Sequence, residues 1–174
     1  GHSVTIFNRG KTEKRIPFEF KDVEKLVGNR DPNLAADDAR GPDGKLLNPD
    51  ATPKGLEQIA AKATGADGSP SWDVVIDDSG YYPRHVKASA ELLAKTCKQY
   101  VYISSISAYA NNKKADADED WELATLADPT VETMGENFGN YGGLKVLCEK
   151  AAQAAFPNRC AVVRPGYIVG PGDP

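Results

Sequence analysis

The chain has 174 residues and a mass near 18.7 kDa, which is room for one domain rather than two. Hydrophobic residues make up 40% and charged residues 26%, the balance of a soluble globular protein. Twenty-five acidic against 21 basic side chains leave a net charge of −4, which argues against nucleic acid as the first partner. No apolar run approaches the roughly 18 residues that a membrane span needs, so no membrane partner is expected. Cys97, Cys148 and Cys160 are odd in number and form no Cys-x-x-Cys pair, which fits reduced thiols in a cytoplasmic setting. His2 and His85 lie far from each other and from any cysteine or acidic pair at ligand spacing, so no metal site is expected.

Ser3 to Phe7 is β-branched and aromatic and reads as a strand closed by the turn Asn8-Arg9-Gly10. A second short strand is expected at Val23 to Val27, and residues 31–55, rich in Pro, Gly, Asn and Asp, read as a long surface loop. Leu56 to Ala63 has helical composition. Trp72 to Ile76 is an apolar run between Ser-Pro and Asp-Asp-Ser-Gly, which predicts a buried strand. Pro83 opens a helix on which Val86, Ala90, Leu93 and Cys97 share one face. Tyr100 to Ile103 is the next strand, and Ser104-Ser105-Ile106-Ser107 follows it.

Residues 111–136 carry eight acidic side chains against Lys113 and Lys114, and read as an acidic surface excursion. Tyr141 to Phe156 is a helix, and Cys160 to Arg164 a last strand stopped by Pro165-Gly166. Short apolar strands alternating with helices predict an α/β fold of βαβ units, a parallel sheet with helices on both faces.

In open α/β sheets ligands bind at the carboxyl ends of the strands. Here those ends carry Asn8-Arg9, Asn29-Arg30, Asp77-Asp78-Ser79-Gly80, Ser104-Ser105 and Arg164-Pro165-Gly166. The strongest local signal is Tyr141-Gly-Gly-Leu-Lys145, because four residues apart on a helix is the same face. A tyrosine phenol, with an ordinary pKa of about 10, is a poor proton-transfer group at neutral pH. A nearby ammonium favours its ionised form. Tyr109 also has a lysine at +4, Lys113, but the intervening Ala-Asn-Asn is a loop sequence. Ser104 and Ser105 place hydroxyls at a strand end, where serines also form turns and caps. Asp77 and Asp78 are adjacent, so they point to opposite faces and make a poor acid/base pair. Neither a Gly-x-Ser-x-Gly elbow nor a phosphate-loop lysine motif occurs.

Taken in order, Val4-Thr-Ile-Phe-Asn-Arg9, Gly28-Asn-Arg-Asp31, Asp73-Val-Val-Ile-Asp77, Tyr102-Ile-Ser-Ser-Ile-Ser-Ala-Tyr109, Tyr141-Gly-Gly-Leu-Lys145 and Arg164-Pro-Gly-Tyr-Ile-Val-Gly-Pro171 resemble the NAD-dependent epimerase/dehydratase family, the extended short-chain dehydrogenase/reductases. Phe7-Asn-Arg-Gly10 and Ile76-Asp-Asp-Ser-Gly-Tyr81 look more like the family's atypical bacterial members and their chloroplast RNA-binding relatives. The resemblance implies Tyr141 as acid/base, Lys145 as holder of the nicotinamide ribose, and Ser105 as the group that orients a substrate hydroxyl or carbonyl, with Ser107 in reserve. It implies Asn29 and Arg30 beside the adenine, Asp78, Ser79 and Gly80 along the cofactor, and Pro165 and Gly166 beside the nicotinamide. The implied function is hydride and proton transfer with NADP or NAD on a small-molecule substrate, nucleotide-sugar-like by family. The alternatives are a non-catalytic nucleotide- or RNA-binding member and an inactive fragment. A homodimer is compatible with the sequence but not specified by it.

Three departures qualify the resemblance. The family's opening strand and Gly-x-x-Gly-x-x-Gly turn, which hold the pyrophosphate, have no counterpart in this sequence. The C-terminal substrate-binding part has none either, so the expectation is a single partial domain over residues 1–174 with weakened cofactor affinity. The acidic residue expected on the ribose is replaced by Asn8 with Arg9 beside it, which implies NADP in preference to NAD.

Overall fold

The computed structural model describes residues 1–10, 23–31, 55–62, 72–111, 113 and 115–170. The expected loop over 31–55 lies almost wholly outside the described residues. The chain forms two compact units, one over residues 1–69 with 169–174 and one over residues 70–168.

In the first unit, β1 (Thr5–Asn8) and β2 (Glu24–Val27) pair in parallel, Thr5 against Glu24 and Asn8 against Val27. The short helix α1 (Glu57–Lys62) is tied to β2 twice. Gln58 Nε2 donates to the Val27 carbonyl at 3.1 Å, and Lys62 pairs with Glu24.

The second unit runs β3 (Trp72–Asp77), α2 (Pro83–Leu93), β4 (Cys97–Ile103), α3 (Tyr141–Ala155) and β5 (Cys160–Val163). Its sheet is ordered β3-β4-β5 with both pairings parallel, and the fold is a Rossmann-like α/β arrangement. Tyr82 stands at the N-terminal boundary of α2 without a side-chain cap, and Pro83 occupies the first turn, where a missing N–H costs nothing. Val86, Ala90 and Leu93 of α2 meet Leu144, Cys148 and Ala152 of α3 over Tyr100 and Tyr102 of β4, all essentially without solvent exposure. Each large side chain buried this way contributes roughly 1.5–3 kcal/mol, so this layer is the core of the unit. Phe156, just past α3, stacks on Tyr100 with ring centroids 5.0 Å apart. On the opposite sheet face Val74, Ile76 and Val163 are exposed, which corrects the expectation of a buried strand at Trp72 to Ile76: the strand is there, but only its Val75 and Asp77 side is covered.

Cys97 corrects the helix expectation. It is buried, but as the first residue of β4 rather than on α2. The helix stops at Leu93, whose carbonyl accepts from the Thr96 backbone N–H at 3.0 Å and from its hydroxyl at 3.3 Å. The strand therefore starts three residues earlier than its apolar run suggests. Lys98 is exposed in it and pairs with Asp73 of β3 at 2.7 Å.

All eight acidic side chains between residues 111 and 136 are exposed. The segment nevertheless returns to the fold. Tyr109 bridges Leu123 in antiparallel fashion, the Ala124 N–H donates to the Ala108 carbonyl at 2.8 Å, and Leu126 abuts Gly143. Among the described residues no helix is long and apolar enough to cross a membrane.

Candidate functional site

The site builds from the ends of β3 and β4 and the start of α3. At the end of β3 the two aspartates diverge as alternation requires: Asp77 is buried and accepts from the Tyr100 hydroxyl at 2.7 Å, while Asp78 is exposed. Ser79 is exposed and its N–H reaches back to Asp77 Oδ1 at 3.3 Å. Gly80 is buried where only glycine fits, since a Cβ there would collide with Val86 and Tyr102. Its carbonyl accepts from the Tyr102 hydroxyl at 2.7 Å and from Lys145 Nζ at 3.0 Å.

Lys145 is the centre of the arrangement. It is 3% exposed, in the second turn of α3, and also donates to the Ile103 carbonyl at 2.7 Å. Its ammonium thus links the carboxyl ends of β3 and β4. It lies 4.5 Å from the centroid of the Tyr102 ring and 5.6 Å from that of Tyr81, which offsets part of the cost of burying a charge. Tyr141, the first residue of α3, is half-buried, and its ring centroid lies 6.4 Å from that of Tyr81. Among the described residues its hydroxyl has no hydrogen-bond partner. Lys145 is held by carbonyl groups, and the ring of Tyr81 touches both members of the expected pair.

The serines divide. Ser104 is buried and donates to Glu149 Oε1, so its hydroxyl is spent within the fold. Ser105 caps a 3-10 turn over Ile106–Ala108, its Oγ accepting from the Ser107 N–H at 3.1 Å, which leaves its O–H able to donate. Gly142 explains how this turn meets α3, since a Cβ at that position would strike the Ser107 carbonyl. Gly142→Ala is expected to cost about 1–3 kcal/mol through overpacking and to lower the melting temperature. Gly166→Ala, where the added carbon meets open space, should leave the melting temperature almost unchanged. Pro165 joins the same turn through its carbonyl, which accepts from the Ile106 N–H at 2.9 Å.

In this unit, then, Asp78, Ser79, Gly80, Ser105, Tyr141, Lys145, Pro165 and Gly166 all lie at the carboxyl ends of the strands or at the start of α3. The other four expected residues belong to the first unit. Asn8 is exposed, and its Oδ1 accepts from the Gly10 N–H at 2.7 Å in a side-chain turn, with Gly10 at φ 67°. Arg9 is exposed beside it. Asn29 is buried and forms the turn after β2, accepting from the Asp31 N–H at 3.0 Å, and Arg30 is half-buried.

Glu149 was not singled out by the sequence. It is 3% exposed and binds Arg164 at the end of β5 in a two-pronged pair, Nε at 3.0 Å and Nη2 at 2.8 Å. That carboxylate holds the Arg164 guanidinium even higher than its ordinary range. Arg164 also covers the Tyr109 ring at 4.8 Å and donates to the Glu119 carbonyl at 3.1 Å. One carboxylate therefore joins α3, the Ser104 end of β4 and the Arg164 end of β5. The available signal was a charge one helical turn after Lys145 on an otherwise apolar face.

Tyr102 was also missed as part of this site. Burial, followed by the Cys148 thiol and Asp77 beside it, pushes its phenol well above the ordinary tyrosine range. In the unfolded chain that phenol ionises near pH 10, so above about pH 10 the unfolded state binds fewer protons and stability falls as pH rises. Tyr102→Phe should flatten the slope of stability against pH between about pH 10 and 11, measured by denaturant melts. An unchanged slope would contradict the assignment.

A crevice of about 190 Å³ lies elsewhere, against the far side of α3, where Gly143, Val146, Leu147 and Lys150 face Leu126 and Pro129. Its lining is mostly apolar and shares no residue with the Tyr141–Lys145 face. Among the described residues no group of three or more His, Cys, Asp or Glu is placed to hold a metal.

The family model for the NAD-binding domains described as "male sterility protein" matches residues 86–174, just over half of the chain. The chain belongs to this family. The match takes in Ser105, Tyr141, Lys145, Pro165 and Gly166, and starts after Gly80. The male sterility protein family is an extended short-chain-dehydrogenase-like NAD-binding family that generally includes oxidoreductases. This is the level at which the resemblance seen in the sequence holds. The family match does not address narrower membership among epimerases and dehydratases. No curated protein matches the chain.

The donor set suits the nicotinamide end of such a cofactor. A half-buried phenol, a buried ammonium and a serine O–H lie at the carboxyl ends of parallel strands and the start of α3, where this fold binds ligands.

Proposed function

We propose that this chain is a nicotinamide-dependent oxidoreductase-type domain in which Tyr141, Lys145 and Ser105 serve proton transfer at a substrate hydroxyl or carbonyl carbon. The observation that carries the reading is Lys145, a buried ammonium bound to the Gly80 and Ile103 carbonyls one helical turn beyond Tyr141. The bound cofactor would supply hydride chemistry. Tyr141 would hold or release the proton at its phenol oxygen, and Lys145 would bind ribose hydroxyls while fixing the loop after β3. Ser105 would donate its O–H to the substrate oxygen. Asp78, Ser79, Gly80, Pro165 and Gly166 would border the cofactor, with Asn29 and Arg30 beside the adenine. The substrate class is a small polar molecule, nucleotide-sugar-like on the resemblance alone.

Within this reading Arg9 selects NADP by pairing with the 2′-phosphate. Fluorescence titration with NADPH and NADH tests both statements. NADPH should bind more tightly, and Arg9→Asp should reverse the order. Selectivity that does not move removes the role of Arg9. Absence of binding by either form removes the oxidoreductase reading in favour of a non-catalytic module.

A further inference from the structure

Tyr81 stands in a position the proposed chemistry has not used. It follows Gly80, whose missing Cβ lets the backbone press against Val86 and Tyr102, and it precedes Tyr82 and Pro83, which start α2. Both ends of this short link are therefore fixed. Tyr81 is 48% exposed. A single exposed aromatic would need no explanation, but the two groups this ring touches are Tyr141, at 6.4 Å between centroids and 38° between planes, and the Lys145 ammonium at 5.6 Å. A half-exposed aromatic side chain thus stands at the point where the phenol and ammonium of the site converge.

We propose that Tyr81 is a cofactor-contacting residue whose exposed ring forms the wall against which the nicotinamide ring of NAD(P) stacks. The inference rests on the oxidoreductase reading above. Aromatic faces carry partial negative charge, so they attract flat rings in offset stacks and attract cationic rings more strongly. The oxidised nicotinamide is cationic and the reduced one neutral. A stacking wall therefore favours the oxidised form more than the reduced form, which a residue that only props up Tyr141 would not do.

The test is calorimetric titration of NADP⁺ and NADPH into wild type, Tyr81→Leu and Tyr81→Phe, with melting temperatures measured alongside. Tyr81→Leu should weaken NADP⁺ about three- to tenfold and NADPH by less, with at most a small fall in melting temperature. Tyr81→Phe, which keeps the ring, should retain wild-type affinity for both. Unchanged affinities in Tyr81→Leu, with wild type binding normally, would overturn the stacking wall and leave the oxidoreductase reading standing. Equal losses for both forms with a lowered melting temperature would also overturn it, showing the ring to be a structural wedge. Wild type that binds neither form would overturn the oxidoreductase reading and this inference with it.

Discussion

Glu149→Ala should destabilise the protein by about 3–5 kcal/mol, the largest loss expected from any single side chain outside the apolar core. The reason is the partner left behind. Arg164 has 17% of its side chain exposed, and without Glu149 its guanidinium would remain largely withdrawn from water beside the Tyr109 ring. Ser104 would lose its acceptor in the same step. Thermal and urea unfolding measure the effect. Glu149→Gln keeps the shape and an acceptor for Ser104, and should cost clearly less than Glu149→Ala. The double change Glu149→Leu with Arg164→Met removes both charges together and should recover much of the loss, since apolar replacements of buried pairs are often neutral or better. If Glu149→Ala melts like wild type, the pair does not hold α3 against the ends of β4 and β5.

Tyr141→Phe should reduce turnover by about 10²–10⁴-fold while leaving the fold and much of the cofactor affinity in place. The structural part follows from the hydroxyl having no hydrogen-bond partner among the described residues, so removing one oxygen disturbs only the ring contact with Tyr81, which Phe preserves. The chemical part follows from the proposed role, in which that oxygen carries the proton as hydride moves. Absorbance at 340 nm with a panel of small hydroxyl and carbonyl compounds would identify a turned-over substrate and then compare the variant on it. Wild-type turnover in the variant would remove Tyr141 as the acid/base.

Much of the second unit could be read in advance because its signals are local. Trp72 to Ile76 sits between turn residues, Pro83 marks a helix start, and Tyr141 enters an apolar helical repeat. The divergence of Asp77 and Asp78 followed from strand alternation alone. Cys97 was misplaced because it satisfies two periods at once. It falls on the α2 face at helical spacing, and it is equally buried at the start of a strand whose next residues, Lys98 and Gln99, are exposed. Glu149 was hidden for a different reason. Its partners Ser104 and Arg164 lie 45 and 15 residues away, and pairing at such range leaves no periodic trace.

Gly142 and Gly143 were legible as a motif but not for their packing. Two glycines in a helix cost about 1 kcal/mol each relative to alanine, a penalty that signals close approach. Here Ser107 and Leu126 occupy the space their side chains would need. In the sequence Tyr81 stands only at the end of the Ile76–Tyr81 motif. Its significance came from the two groups its ring touches, which sequence spacing could not bring together.

The most direct test of the site is backbone amide NMR of the ¹⁵N-labelled chain titrated with NADPH. Within the second unit, shifts are expected to concentrate at Ser79 to Tyr81, Ser105 to Ser107, the Tyr141–Lys145 turn and Gly166. No shifts, or shifts confined to Leu126, Val146 and Leu147 around the crevice on the far side of α3, would contradict it.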